Sequence, residues 1–114
     1  MKKAPKKTTK KNDTVNAGEY VICRGYYSGV HAGVMEKIEG DWIYLRNARR
    51  VCYWSGAASL SELAVHGPNP AKAGASKICA VVPRQRIKLS DVCEVIVCEP
   101  AGEKWLREVP VWRA

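Results

Sequence analysis

Between residues 59 and 68 the chain spells out both ends of one short helix. Ser59-Leu60-Ser61-Glu62 is a capping box: the Ser59 hydroxyl accepts from an orphan N–H near Glu62, and the Glu62 carboxylate reaches back. Leu60, Leu63 and Ala64 supply one apolar stripe. His66 falls in the last turn, Gly67 takes the C′ position and Pro68 blocks continuation. A helix stopped after about two turns cannot carry a core. The core has to come from what flanks it.

Those flanks read as strands. Tyr20-Val21-Ile22-Cys23-Arg24 is a β-branched and aromatic run. Val30 to Ile38 alternates in part, and Gly33 inside it signals a bulge or a close backbone approach. Glu39-Gly40-Asp41 makes a hairpin turn into Trp42 to Arg46. Asn47-Ala48 is read as a corner, followed by a fourth strand over Arg49 to Trp54, with one of its arginines expected over the core. Ile78 to Val82 reads as a buried strand stopped by Pro83. Arg86 to Leu89 alternates, Val92 to Cys98 reads as the longest strand, and Pro100 opens a second short helix to about Arg107. The fold expected is α+β and mainly β: a small SH3-like or Sm-like barrel of five to six strands, with one short helix inserted and a short C-terminal helix.

Charge divides the chain. Lys2, Lys3, Lys6, Lys7, Lys10 and Lys11 crowd the first 12 residues without an acid, whereas the other 102 carry 13 Lys and Arg against 11 Asp and Glu. Residues 1–17 are therefore expected to be a disordered basic arm and 18–114 a single domain. Such an arm suits nonspecific phosphate contact; lysine without arginine or aromatics does not suit base readout.

The densest chemistry lies at Arg49, Arg50, Tyr53, Trp54 and Ser55. Two guanidinium forks and two aromatic faces stand before the N-terminus of the capped helix, as in a nucleotide-phosphate pocket or a protein hot spot. Arginine beside tryptophan is equally common in plain packing. Tyr26, Tyr27, Ser28 and His31 form a second cluster on the first hairpin.

Signatures of catalysis are missing. There is no G-x-S-x-G elbow, Walker, Rossmann or EF-hand pattern, and Ser59 is engaged as a cap. The five cysteines form no C-x-x-C, and neither histidine stands at ligand spacing from them, so no metal and no cofactor are expected. Without a signal-peptide core or a membrane-length apolar run, the chain reads as cytoplasmic with reduced thiols. Strand edges of a small barrel leave room for a homo-oligomer.

Val30-His31-Ala32-Gly33, Ala48-Arg49-Arg50, Tyr53-Trp54-Ser55-Gly56-Ala57-Ala58-Ser59-Leu60, Leu63-Ala64 and the closing Val109-Pro110-Val111-Trp112 are similar to a family of short bacteriophage and prophage proteins of unknown function. The resemblance spans about residues 19–113, and Tyr-Trp-Ser-Gly-Ala-Ala-Ser is its specific block. It implies a viral origin, placing the chain in the host cytoplasm, and no activity. The expectation is a nonenzymatic binding module for an anionic ligand, nucleic acid or a nucleotide. The alternative is a protein-interaction module that inhibits a host defence factor or serves as a virion accessory protein.

Overall fold

Among the described residues six strands run antiparallel: β1 (Tyr20–Gly25), β2 (Gly29–Glu39), β3 (Trp42–Tyr53), β4 (Lys77–Ile78), β5 (Val82–Lys88) and β6 (Val92–Val97). This computed structural model describes residues 15–114, and the lysines of the basic arm, Lys2 to Lys11, lie outside them. The strand order is β4-β3-β2-β1-β6, with β5 also paired to β3. β5 runs beside residues 42–48 of β3 and β4 beside residues 51–53, so the two share one edge of the longest strand. Among the described residues two helices, α1 (Leu60–His66) and α2 (Pro100–Glu108), pack on the sheet, with 3-10 turns at Pro70–Ala75 and Leu89–Asp91. Among the described residues no ladder joins β5 to β6. The mainly-β expectation is met, but the strand pairing does not close a barrel. No helix among the described residues is long and apolar enough to cross a membrane.

Each face of the sheet has its own core. β1 is buried on both sides, and period-2 alternation sends Tyr20 and Ile22 one way and Val21 and Cys23 the other. The first pair joins Ala32, Val51, Ile78 and the apolar stripe Leu60, Leu63 and Ala64 under the helices. The second pair joins Met35, Ile43, Leu45, Ala48 and Ile87. Helix α1 is capped as its sequence requires. Ser59 Oγ accepts from Glu62 N at 3.2 Å, Glu62 Oε1 accepts from Ala58 N at 2.8 Å, and Gly67 closes the helix at φ 72°. Helix α2 crosses α1 so closely that a Cβ on Gly102 would run into the Ala64 carbonyl.

Four readings of the chain are corrected. The longest strand is β3, with 12 residues, and not the run from Val92, which ends at Val97 after six. Asn47 is not a corner between two strands: β3 runs through it, with Asn47 at φ 51° and the ladder to β2 slipping between Ala32 and Val34. That slip brings Gly33 against Ala48, where a Cβ would sit 3.0 Å from the Ala48 Cα and the neighbouring strand would have to give way; this is the close backbone approach that the strand-interior glycine signals. The run 78–82 is not one buried strand, because β4 ends at Ile78, and Val81 and Val82 are exposed. Pro83 stops nothing and lies within β5, which among the described residues pairs only with β3; an edge strand tolerates the missing N–H.

The arginine expected over the core is Arg49, only 2% exposed. Its Nε donates to the Cys79 carbonyl at 2.8 Å. Nη1 donates to the carbonyls of Leu106 and Val109, at 2.9 and 2.7 Å, and Nη2 to that of Ile78 at 3.4 Å. One side chain thus caps α2 and ties it to β4. Replacing Arg49 by Met strands these carbonyls in the interior. Urea unfolding is expected to show a loss of about 3 kcal/mol, and Arg49→Lys recovers only part of it. Gly102→Ala forces the helix backbones apart and should cost roughly 2 kcal/mol in the same assay.

Candidate functional site

The helices cover only part of the sheet face on which they lie. On β3, Ile43 and Leu45 point into the second core, so Trp42, Tyr44 and Arg46 point to the helix side, beyond the reach of α1 and α2. Ladder register sets Lys88 opposite Trp42, Arg86 opposite Tyr44 and Arg84 opposite Arg46. From β2, Lys37 lies opposite Tyr44. The cations rest on the rings: Arg86 is 4.1 Å and Lys88 5.1 Å from the Trp42 centroid, and Lys37 is 4.9 Å from that of Tyr44. Each such contact contributes about 0.5–1 kcal/mol at an exposed site and limits the wandering of a long side chain. A shallow groove of about 540 Å³ runs between Lys37, Tyr44, Arg46, Arg84 and Arg86, with Glu36 on its wall. Lys37 pairs with Glu39 at 3.0 Å and Lys88 with Asp41 at 3.7 Å. Among the described residues no carboxylate pairs with Arg46, Arg84 or Arg86. Those three carry the uncompensated charge.

A second open groove, of about 570 Å³, separates the other side of β5 from the hairpin tip at residues 26–28 and is lined by Tyr27, Ser28, Arg50, Gln85 and Asp91. Asp91 builds the tip. Its Oδ1 accepts from Tyr27 N at 2.8 Å and its Oδ2 from Ser28 N at 3.0 Å. The Tyr27 N–H chiefly, with Ser28, holds this carboxyl below the ordinary carboxylate value. His31 lies beneath, fully buried. Gln85 Nε2 donates to its Nδ1 at 3.3 Å, so Nε2 holds the proton and donates to the Ser28 carbonyl at 3.0 Å. Burial, then the Arg50 guanidinium, lowers its pKa. The ring is a neutral strut.

The residues singled out in the sequence are not gathered into one pocket. Arg49 is spent inside the fold. Arg50 is exposed in the second groove, its Nη1 donating to the Ser28 carbonyl at 3.2 Å. Tyr53 is exposed at the end of β3, and Trp54 is half-buried against the helix-side core. Ser55 donates its N–H to Ser76 Oγ at 3.0 Å. Tyr26 and Tyr27 are 74% and 88% exposed, packed edge to face at 4.7 Å. Trp42, Tyr44, Arg46, Arg84, Arg86 and Lys88 went unmarked in the sequence. Their signal was the alternation of both segments, with cations at every second position of 84–88. Among the described residues, no group of three His, Cys, Asp or Glu side chains could hold a metal ion.

Substituting Asp91 by Asn removes the anionic acceptor of two tip N–H groups. Amide exchange at Tyr27 and Ser28 is expected to quicken while β2 and β3 keep their protection. In the parent protein, the lowered pKa keeps the clamp through mildly acid pH and releases it as pH falls below the ordinary carboxylate range. Unchanged exchange in Asp91→Asn rejects the clamp.

No curated protein and no solved structure matches this chain. A protein family does, over residues 18–106, and it is described as a domain of unknown function, DUF6948. The match takes in the whole sheet, both grooves and all but the last two residues of α2, and the chain belongs to that family.

Proposed function

We propose that this is a nonenzymatic module that binds nucleic acid through its phosphates on the outer face of β3 and β5. The observation that carries the reading is the set Arg46, Arg84 and Arg86, which share one groove and form no ion pair with a carboxylate among the described residues. Guanidinium forks are suited to phosphate oxygens. Along β5 the side chains of Arg84, Arg86 and Lys88 recur every second residue, about 7 Å apart, which is the scale of consecutive phosphates on one strand. The faces of Trp42 and Tyr44 are covered by cations, so they position charge and do not stack on bases. Recognition of this kind is insensitive to sequence and sensitive to salt. The six lysines of the arm add to the same electrostatic attraction.

We read the fold as an SH3-like arrangement left open between its last two strands: β6-β1-β2-β3-β5 in order, with the 3-10 turn Leu89–Asp91 linking β5 to β6. The resemblance to short phage and prophage proteins supports a viral origin and a place in the host cytoplasm. A second reading, a protein-interaction module acting on a host factor or in the virion, rests on the exposed Tyr26–Tyr27 pair.

The test is anisotropy of a labelled single-stranded oligonucleotide titrated with the full chain at several salt concentrations. Binding should weaken steeply with salt. The triple variant Arg46→Ala, Arg84→Ala, Arg86→Ala should lose about tenfold or more in affinity, with a salt slope shallower by about 2. Circular dichroism should show the fold unchanged, since all three side chains are exposed. If the triple variant binds as the parent does, the site is wrong. If the parent does not bind at all, the protein-interaction reading takes its place.

A further inference from the structure

We infer that Cys52 and Cys79 form an oxidation site, a dithiol that a peroxide converts to a disulfide. Their sulfurs stand 3.4 Å apart, both as free thiols. Cys52 is the residue that the β3–β4 ladder skips between Val51 and Tyr53, and it is exposed. Cys79 is half-buried and held at both ends of its peptide: its N–H donates to the Arg50 carbonyl at 2.9 Å, and its carbonyl accepts from Arg49 Nε at 2.8 Å. A disulfide needs the sulfurs to close by about 1.4 Å, within reach of side-chain rotation at the skipped residue. The other thiols lack such a partner. Cys23 and Cys98 are buried, which raises their pKa values to about 11 and about 12. Cys93 is exposed, with its Sγ 4.0 Å from the Asp91 carbonyl.

The chemistry follows from exposure and hydrogen bonding. The bond to Cys52 raises the Cys79 thiol above its ordinary value, so Cys79 keeps its proton and Cys52 is the nucleophile. The Cys52 thiolate attacks one peroxide oxygen, the O–O bond breaks, and a sulfenic acid and hydroxide form; the hydroxide takes up the Cys52 proton as water. The Cys79 sulfur then attacks the Cys52 sulfur. The S–O bond breaks, and the departing oxygen takes the Cys79 proton and leaves as a second water. The two sulfurs have together given up two electrons, and the peroxide has been reduced by two. The bond closes a loop that contains α1 and the 3-10 turn Pro70–Ala75, and it fastens β4, a strand of only two residues, to β3. Oxidised protein should therefore be more stable to unfolding.

The full chain is treated with hydrogen peroxide, its remaining thiols are alkylated, and tryptic peptides are mapped by mass spectrometry without reduction. The expected product joins peptides 51–72 and 78–84, disappears with dithiothreitol, is absent from Cys52→Ser and persists in Cys93→Ser. The melting temperature should rise on oxidation and return on reduction. Alkylatable Cys52 and Cys79 after treatment, or Cys52 linked to Cys93 as often as to Cys79, overturns the inference. The wild-type map alone decides the matter if Cys52→Ser does not fold, and neither outcome depends on nucleic-acid binding.

Discussion

The interaction on which the rest hangs is the buried guanidinium of Arg49. Among the described residues it has no carboxylate partner. Its charge is met by backbone carbonyls from Ile78 and Cys79 and from Leu106 and Val109, at the end of α2. A cation against the C-terminus of a helix interacts with the summed peptide dipoles as well as with single oxygens. The last turn of α2 would otherwise present orphan acceptors to an apolar layer containing Leu106, fully buried. A point-charge lysine could not reach both sets of carbonyls at once, whereas the planar fork does so from one position. Three pieces with little pairing of their own are thereby fixed: a two-residue strand, a nine-residue helix and the closing segment, whose Trp112 N–H donates to the Ile78 carbonyl at 2.9 Å.

Arg49 reaches that position because of the irregularity at Asn47. In an uninterrupted strand, residues 46 and 49 lie on opposite faces. The extra residue at Asn47 shifts the parity, so that Arg46 and Arg49 fall on the same side of β3 while Leu45 and Ala48 both stay in the second core. The strand is thus two half-strands with one outer face. The second half is covered by the helices. The first half remains open, and there Trp42, Tyr44 and Arg46 meet solvent. One backbone irregularity both places the buried clamp and leaves a flat, exposed ladder beside it.

How far the chain could be read follows the range of the forces involved. The caps of α1 were legible because Ser59, Glu62 and Gly67 act within one turn of their partners. Gly33 was legible as a bulge because a strand-interior glycine has few other uses. The Asn47 irregularity was visible, but whether the chain turns or continues there depends on the neighbours that hold it, and Gly33 on β2 decides that across the ladder. Pro83 misled for a similar reason: whether proline ends a strand depends on whether a neighbour needs its N–H, and among the described residues β5 has no ladder partner on its outer edge. The choice between Arg49 and Arg50 also lay beyond the sequence, since the parity of β3 was not known. Least legible was the groove. It exists only because residues 42–46 pair with residues 84–88, and no local signal names a partner some forty residues away.

This non-local pairing also changes what the net charge means. The chain outside its first 12 residues is close to neutral, and a neutral body by itself argues against a polyanion partner. Charge is partitioned by surface, however. On α2, Lys104 pairs with Glu108 at 2.9 Å and Arg107 with Glu103 at 2.8 Å, and Arg24 meets Glu94 across β1 and β6. These pairs spend acids away from the β3–β5 face, where three arginines keep theirs unmatched. A phosphate near that groove experiences the local arrangement and not the sum, because charges more than about 10 Å away are screened at ordinary ionic strength. The proposed site therefore rests on the register that gathers its cations, and a slip of β5 by one residue would turn Arg84 and Arg86 to the core side and abolish it.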